Sequence, residues 1–157
     1  PGGHRRVARD SVMQLMRVPQ DPAAESVSPE PASTFTVLVV EDDANLRRLY
    51  ELTMAGWNLP ITIRICANGF EGLVEVGRLL PKVVITDLNM PNMDGFAMLR
   101  SLAKGANTEL LVVSGLTDAE INARGGLPEG VTRFNKPVPF ADLRARIEAN
   151  IGAVATA

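Results

Sequence analysis

Apolar residues between positions 35 and 153 fall in short runs whose period alternates between that of a strand and that of a helix. Phe35–Val40 (FTVLVV) is a continuous apolar run, as expected of a strand covered on both faces. Ala44–Ala55 carries Leu46, Leu49, Tyr50 and Met54 at helical spacing. Ile61–Cys66 (ITIRIC) is β-branched and alternates, which predicts a second strand. Phe70–Leu80 predicts a helix stopped by Pro81. Lys82–Thr86 (KVVIT) is a third strand, and Asp94–Ala103 a helix with Phe96, Leu99 and Leu102 along one side. Leu110–Val113 is a fourth strand. A short helix follows Thr117 and ends by the Gly125–Gly126 pair. Val131–Asn135 is a fifth strand. The last helix starts near Pro139, with Phe140, Leu143, Ile147 and Ile151 on one stripe.

Five strand–helix units in succession predict an α/β fold. Parallel strands joined by right-handed crossovers make a sheet with helices on both faces. Ligands of such sheets bind at the carboxyl ends of the strands, so polar residues just after each strand carry the functional interest.

Upstream the pattern breaks. Residues 19–34 hold Pro19, Pro22, Pro29 and Pro31 with three serines, and read as a linker that cannot offset its ordering entropy. The folded domain is therefore expected at 35–153. Residues 1–18 carry Arg5, Arg6, Arg9 and Arg17 against Asp10, a balance of +3, which leaves −5 on the remainder of a chain of net charge −2. A basic end on an acidic body suggests two tasks. A chain starting at Pro1 rather than Met is expected to be a piece of something longer. The one cysteine, Cys66, lacks the companions of a disulfide or a zinc motif and reads as a buried small hydrophobe. Sparse cysteine suits a reducing compartment, and no apolar run reaches transmembrane length, so a cytoplasmic location without membrane contact is expected.

Four strand ends carry charged or reactive groups. Glu41, Asp42 and Asp43 follow the first strand, Asp87 the third, Ser114 the fourth, and Lys136 the fifth, just before Pro137. On a parallel sheet these ends share one edge. Clustered carboxylates repel unless a cation intervenes. Hard oxygen ligands suit Mg²⁺, which also uses phosphate oxygens. Metal and lysine together make a cationic site for a phosphoryl group, and a carboxylate within it can act as nucleophile. Each residue alone has a plainer reading as a solvated charge; Asp43 in particular suits the cap of the following helix.

VLVVEDD, VVITDLNMPNMDG, VVSG and NKP, in that order and spacing, resemble the successive motifs of response-regulator receiver domains. The resemblance runs from about Phe35 to Ile151. It implies a flavodoxin-like doubly wound (βα)5 fold with a five-stranded parallel sheet in the order 2-1-3-4-5. It implies Asp87 as phosphoacceptor and Mg²⁺ as cofactor. The metal would be held by Asp42, by Glu41 largely through water, by Asp87, and by the backbone carbonyl of Asn89. Lys136 would pair with the phosphoryl group, Ser114 would be the hydroxyl switch, and the Lys136–Pro137 bond would be cis. The donor would be a sensor histidine kinase or phosphotransfer protein, and the chain itself would not be an enzyme. One position departs from the family. An aromatic usually stands three residues before the lysine, where this chain has Arg133, while Phe134 is expected on the other side of the strand.

Residues 1–18, with the cationic GGHRR turn and a short helix from Ser11 to Val18, resemble the wing and following helix of an excisionase- or MerR-type winged-helix DNA-binding domain. The recognition helix is missing from that resemblance. DNA binding is accordingly expected of the longer natural protein and only weakly of this chain, with phosphorylation-dependent homodimers as a further partner state. A plain basic tail is the competing reading. For the domain itself, a haloacid-dehalogenase-type aspartyl-phosphate hydrolase is the competing enzyme. That chemistry typically wants a second Asp two residues after the nucleophile, where this chain has Asn89. A pseudo-receiver would usually have lost the acid pair, the acceptor or the lysine, and all are present.

Overall fold

The computed structural model describes residues 35–91, 93–104 and 107–156. The basic segment 1–18 and the linker 19–34 lie outside the described residues. The elements run β1 (Phe35–Val40), α1 (Ala44–Ala55), β2 (Ile61–Cys66), α2 (Gly69–Leu79), β3 (Val83–Thr86), α3 (Gly95–Ala103), β4 (Glu109–Ser114), α4 (Asp118–Ala123), β5 (Thr132–Asn135) and α5 (Phe140–Thr156). All strand pairs are parallel, and the sheet order is β2-β1-β3-β4-β5, the order expected.

Side chains of a strand alternate between the faces of its sheet, and this alternation divides the core. Val37, Val39, Val83, Ile85, Leu111 and Val113 point to one face, where Tyr50 and Met54 of α1 and Leu143 and Ile147 of α5 cover them. Leu38, Val40, Val84, Leu110 and Val112 point to the other, under Phe96, Met98 and Leu99 of α3 and Ile121 of α4. β1 and β3 are buried along their whole length, which is why their sequences are unbroken apolar runs. Tyr50 and Phe140 meet edge to face, centroids 5.4 Å apart, and join α1 to α5.

Local differences from the sequence expectations have simple causes. α2 begins at Gly69 because Asn68 caps it, its side chain accepting from Glu71 N–H at 2.9 Å. Phe70, the second residue of that helix, faces outward and is 68% exposed. In α1 the buried stripe is Tyr50 and Met54; Leu49, one residue off that stripe, is 46% exposed. α4 opens on a capping box, Thr117 with Glu120, and the left-handed Gly125 and Gly126 follow it. No helix among the described residues is long and apolar enough to cross a membrane.

Candidate functional site

β1 passes to β2 on one side, and β3 lies on its other side. The carboxyl ends of β1 and β3 therefore flank the crevice where the strand order reverses. Ladder bonds continue one residue beyond the strands: Glu41 N–H donates to Cys66 O at 3.1 Å, Asp87 N–H to Val40 O at 3.4 Å, and Lys136 N–H to Ser114 O at 3.1 Å. The chemistry-bearing residues thus stand on backbone held by the sheet.

Glu41, Asp42 and Asp87 converge, each offering a carboxylate oxygen within 4.8 Å of the others'. Glu41 and Asp87 are buried, and Asp42 is half-buried. Asp87 Oδ1 accepts from Leu88 N–H at 2.6 Å and from Asn89 N–H at 3.2 Å. Its Oδ2 accepts from Lys136 Nζ at 2.8 Å, and Glu41 Oε2 lies 3.8 Å from the same ammonium. Both Asp87 oxygens are therefore oriented. The Lys136–Pro137 bond is cis. Ser114 is fully buried at the end of β4, and it lines a cleft together with Arg133 and Lys136. The Asn89 peptide sits beside the Asp87 carboxylate through its N–H bond. Asp43 is the N-cap of α1, accepting from Asn45 and Leu46 N–H at 2.8 and 3.2 Å. The edge thus brings together the strand-end carboxylates, the lysine and the hydroxyl, while Asp43 is turned to the helix.

Crowding shows in the acidities. Burial pushes the Glu41 carboxyl up to about 7; the Asp43 N–H and Lys136 oppose that, while Asp42 and Asp87 add to it. Burial lowers the affinity of Lys136 for its proton, but the bond and charge of Asp87, then Glu41 and Asp42, outweigh it and hold the ammonium above its ordinary value. Three converging carboxylates that share one ammonium form a site that gains from a divalent cation. An all-oxygen set of this compactness fits Mg²⁺. Cys66, by contrast, is a buried thiol pushed up to about 11 by burial, and behaves as the small hydrophobe expected.

Two contributors were not foreseen from sequence. Arg47 Nη1 donates to the carbonyls of Glu41 and Asp42 at 3.1 and 2.8 Å and fixes the acidic loop from within α1. Its only signal was a basic residue one turn into a helix, which surface helices commonly carry. Gly95 lets α3 approach the Asp87–Leu88 backbone: an added Cβ would stand 2.8 Å from Asp87 O, Leu88 Cα and Leu88 O. Its signal lay in the DG pair ending the acidic motif.

Comparison with known proteins agrees with this geometry. The model of the response regulator receiver domain family matches residues 37–148, and the chain belongs to that family. The chain is 32% identical over 114 residues to the transcriptional activator protein PfeR of Pseudomonas aeruginosa, a match covering 72% of this chain and 36% of that protein. It is 31% identical over 136 residues to protein-glutamate methylesterase/protein-glutamine glutaminase 5 of Myxococcus xanthus, covering 80% of this chain and 39% of that protein. Among solved structures, it is similar to the signal receiver domain of a DNA binding response regulator protein (merR) from Colwellia psychrerythraea. There the TM-score is 0.64 at 29% identity, over 75% of this chain and 98% of that one. This chain spans less than half the length of these curated relatives.

Proposed function

We propose that the chain is a phosphorylation switch in which Asp87 accepts a phosphoryl group, with Mg²⁺, from the phosphohistidine of a sensor kinase or phosphotransfer protein. The observation that carries this reading is the Asp87 carboxylate, with Lys136 Nζ 2.8 Å from one oxygen and two backbone N–H groups on the other. A carboxylate oxygen forms the new O–P bond, the donor's P–N bond breaks, and the imidazole leaves with the electron pair. Lys136 neutralises charge as it spreads over the phosphoryl oxygens, and the Ser114 hydroxyl takes one of those oxygens by hydrogen bond. Asp42, Asp87, the Asn89 carbonyl and, through water, Glu41 would hold Mg²⁺, which when bound would supply the remaining positive charge. The chain modifies itself rather than a separate substrate, so it serves as a signalling module and not as an enzyme, in the cytoplasm where such donors act. The transcriptional relative supports a DNA-binding output in the longer protein, with the basic residues 1–18 contributing sequence-independent phosphate contacts and dimers forming on phosphorylation.

The direct test uses acetyl phosphate, a small phosphodonor. The chain should gain one acid-stable, base-labile phosphoryl group, read by intact mass, and should gain none when EDTA removes the metal. Labelling that needs no divalent cation would overturn the metal-assisted reading.

Acidity gives a second test. A Glu41 carboxyl raised to about 7 holds its proton at mildly acidic pH, and a metal facing it needs the carboxylate form. Metal binding therefore releases a proton below that value. The apparent Mg²⁺ affinity should be level above about pH 7 and fall by up to roughly tenfold per pH unit below it. Calorimetric titration in two buffers of different ionisation enthalpy measures both affinity and proton release. Affinity and proton count unchanged down to about pH 6 would refute Glu41 as a titrating neighbour of the metal. Trp57 is a poor reporter for this titration. It follows the end of α1 and shares a buried cluster with Phe35, the first residue of β1, whereas the site follows the last residue of that strand.

A further inference from the structure

A chain of contacts leads away from the acidic site on the side of β4 and β5. Ser114 Oγ accepts a hydrogen bond from Leu116 N–H at 3.1 Å. The carbonyl of the same Leu116 accepts from Arg133 Nη2. Arg133 Nη1 donates to Asp118 Oδ1, and Asp118 is the first residue of α4. One peptide and one guanidinium thus connect the Ser114 hydroxyl to the start of a helix.

The two ends of this chain are held in different ways. Arg133 stands on β5, paired with Val112 of β4, so its backbone is fixed by the sheet. The far side is a small unit of its own. Thr117 Oγ1 accepts from Glu120 N–H at 3.2 Å, and Glu120 Oε2 accepts from Thr117 N–H at 2.7 Å. That reciprocal pair holds residues 117–120 together, so the start of α4 moves as a block when Leu116 moves.

Arg133 itself is incompletely satisfied. Its side chain is only 20% exposed, and its Nε–H is buried without a hydrogen-bond partner among the described residues. A guanidinium presents its donors in a rigid planar fork. Two arms are engaged here and the third is idle. An idle buried donor disfavours the present arrangement relative to one that supplies an acceptor.

We propose, building on the phosphoacceptor reading above, that Arg133 is the positioning residue that passes a change at Ser114 to α4, through its bridge between the Leu116 carbonyl and the Asp118 carboxylate. When the Ser114 hydroxyl turns to a phosphoryl oxygen on Asp87, Leu116 N–H must follow it or lose its acceptor. The Leu116 carbonyl moves with its own peptide group. The Arg133 fork then changes partners, and Asp118 is released or drawn with it.

The test is NMR of the full ¹⁵N-labelled chain, with Mg²⁺ and beryllofluoride as the phosphoryl mimic. In the wild type, amides of Leu88, Asn89 and Ser114 should shift, and so should those of Asp118–Ala123 and the Arg133 Nε–H. In Arg133→Ala the first group should shift as in the wild type, while the α4 shifts are lost. Arg133→Lys, which can reach one acceptor but not both, should restore part of them. Asp118→Ala changes a side chain that is 85% exposed, so it leaves folding intact and should also diminish the α4 response. Wild-type α4 shifts in Arg133→Ala or Asp118→Ala overturn the relay alone. Absence of shifts at Leu88, Asn89 and Ser114 in the wild type overturns the phosphoacceptor reading, and the relay with it.

Discussion

Asp87→Asn should take up no phosphoryl group from acetyl phosphate at any Mg²⁺ concentration, while remaining folded. The amide oxygen can still accept the Leu88 and Asn89 N–H bonds that end on Oδ1 at 2.6 and 3.2 Å, so the turn after β3 keeps its shape. What disappears is the negative charge. A neutral amide is not a competent nucleophile toward phosphorus, and it no longer pairs with the Lys136 ammonium at 2.8 Å. Lys136 retains Glu41 as a partner at 3.8 Å. The loss of Asp87 also relieves part of the repulsion that raises Glu41. The two effects on stability oppose each other, so the effect on chemistry should be total and the effect on folding small. Intact-mass labelling together with circular dichroism separates them. Persistent labelling in a folded Asp87→Asn chain would move the acceptor to another residue.

Gly95→Ala should be the most damaging single-methyl change near the site. The new Cβ would stand 2.8 Å from three backbone atoms of Asp87 and Leu88, none of which can swing aside as a side-chain tip can. Either α3 lifts from the sheet or the Asp87–Leu88 segment shifts. Overpacking of this kind costs about 1–3 kcal/mol. Because Leu88 N–H makes the 2.6 Å bond to Asp87 Oδ1, the rate of phosphorylation should fall with stability. Gly77→Ala is the control: its Cβ would meet nothing within 4 Å inside α2, and removing a helical glycine should stabilise by roughly 0.5–1 kcal/mol. Urea denaturation of both variants reads opposite signs. An unchanged midpoint in Gly95→Ala would refute the close-approach argument.

The legibility of the sequence follows burial. β1 and β3 could be read because central parallel strands are covered on both faces, and only an unbroken apolar run satisfies that. The acidic group and Asp87 could be read because each stands directly after such a run, and Ser114 because it ends one; Lys136 follows the half-buried edge strand β5 and could be read from the NKP motif. Helix faces were harder. Leu49 and Phe70 are apolar and helical yet exposed, since which stripe turns inward is set by the cap and by the sheet beneath, not by hydrophobicity alone. Arg47 and the bridging role of Arg133 were invisible, and Gly95 was marked only by its place in the DG pair, for a common reason. Each acts on backbone atoms of another segment, and that distance exists only after folding.

The sheet has two open edges, β2 and β5, whose outward N–H and C=O groups are templates for adding a strand from another chain. The two edge strands each carry an arginine, Arg64 in β2 and Arg133 in β5, whereas β1, β3 and β4 hold no basic residue. Arg64 is exposed at the middle of an otherwise apolar β-branched strand, the composition most prone to intermolecular pairing. Between stacked copies in register, its charge would be repeated at every strand spacing of about 4.8 Å, with little water to screen it. The arginine thus places a charge that opposes sheet growth through the β2 edge.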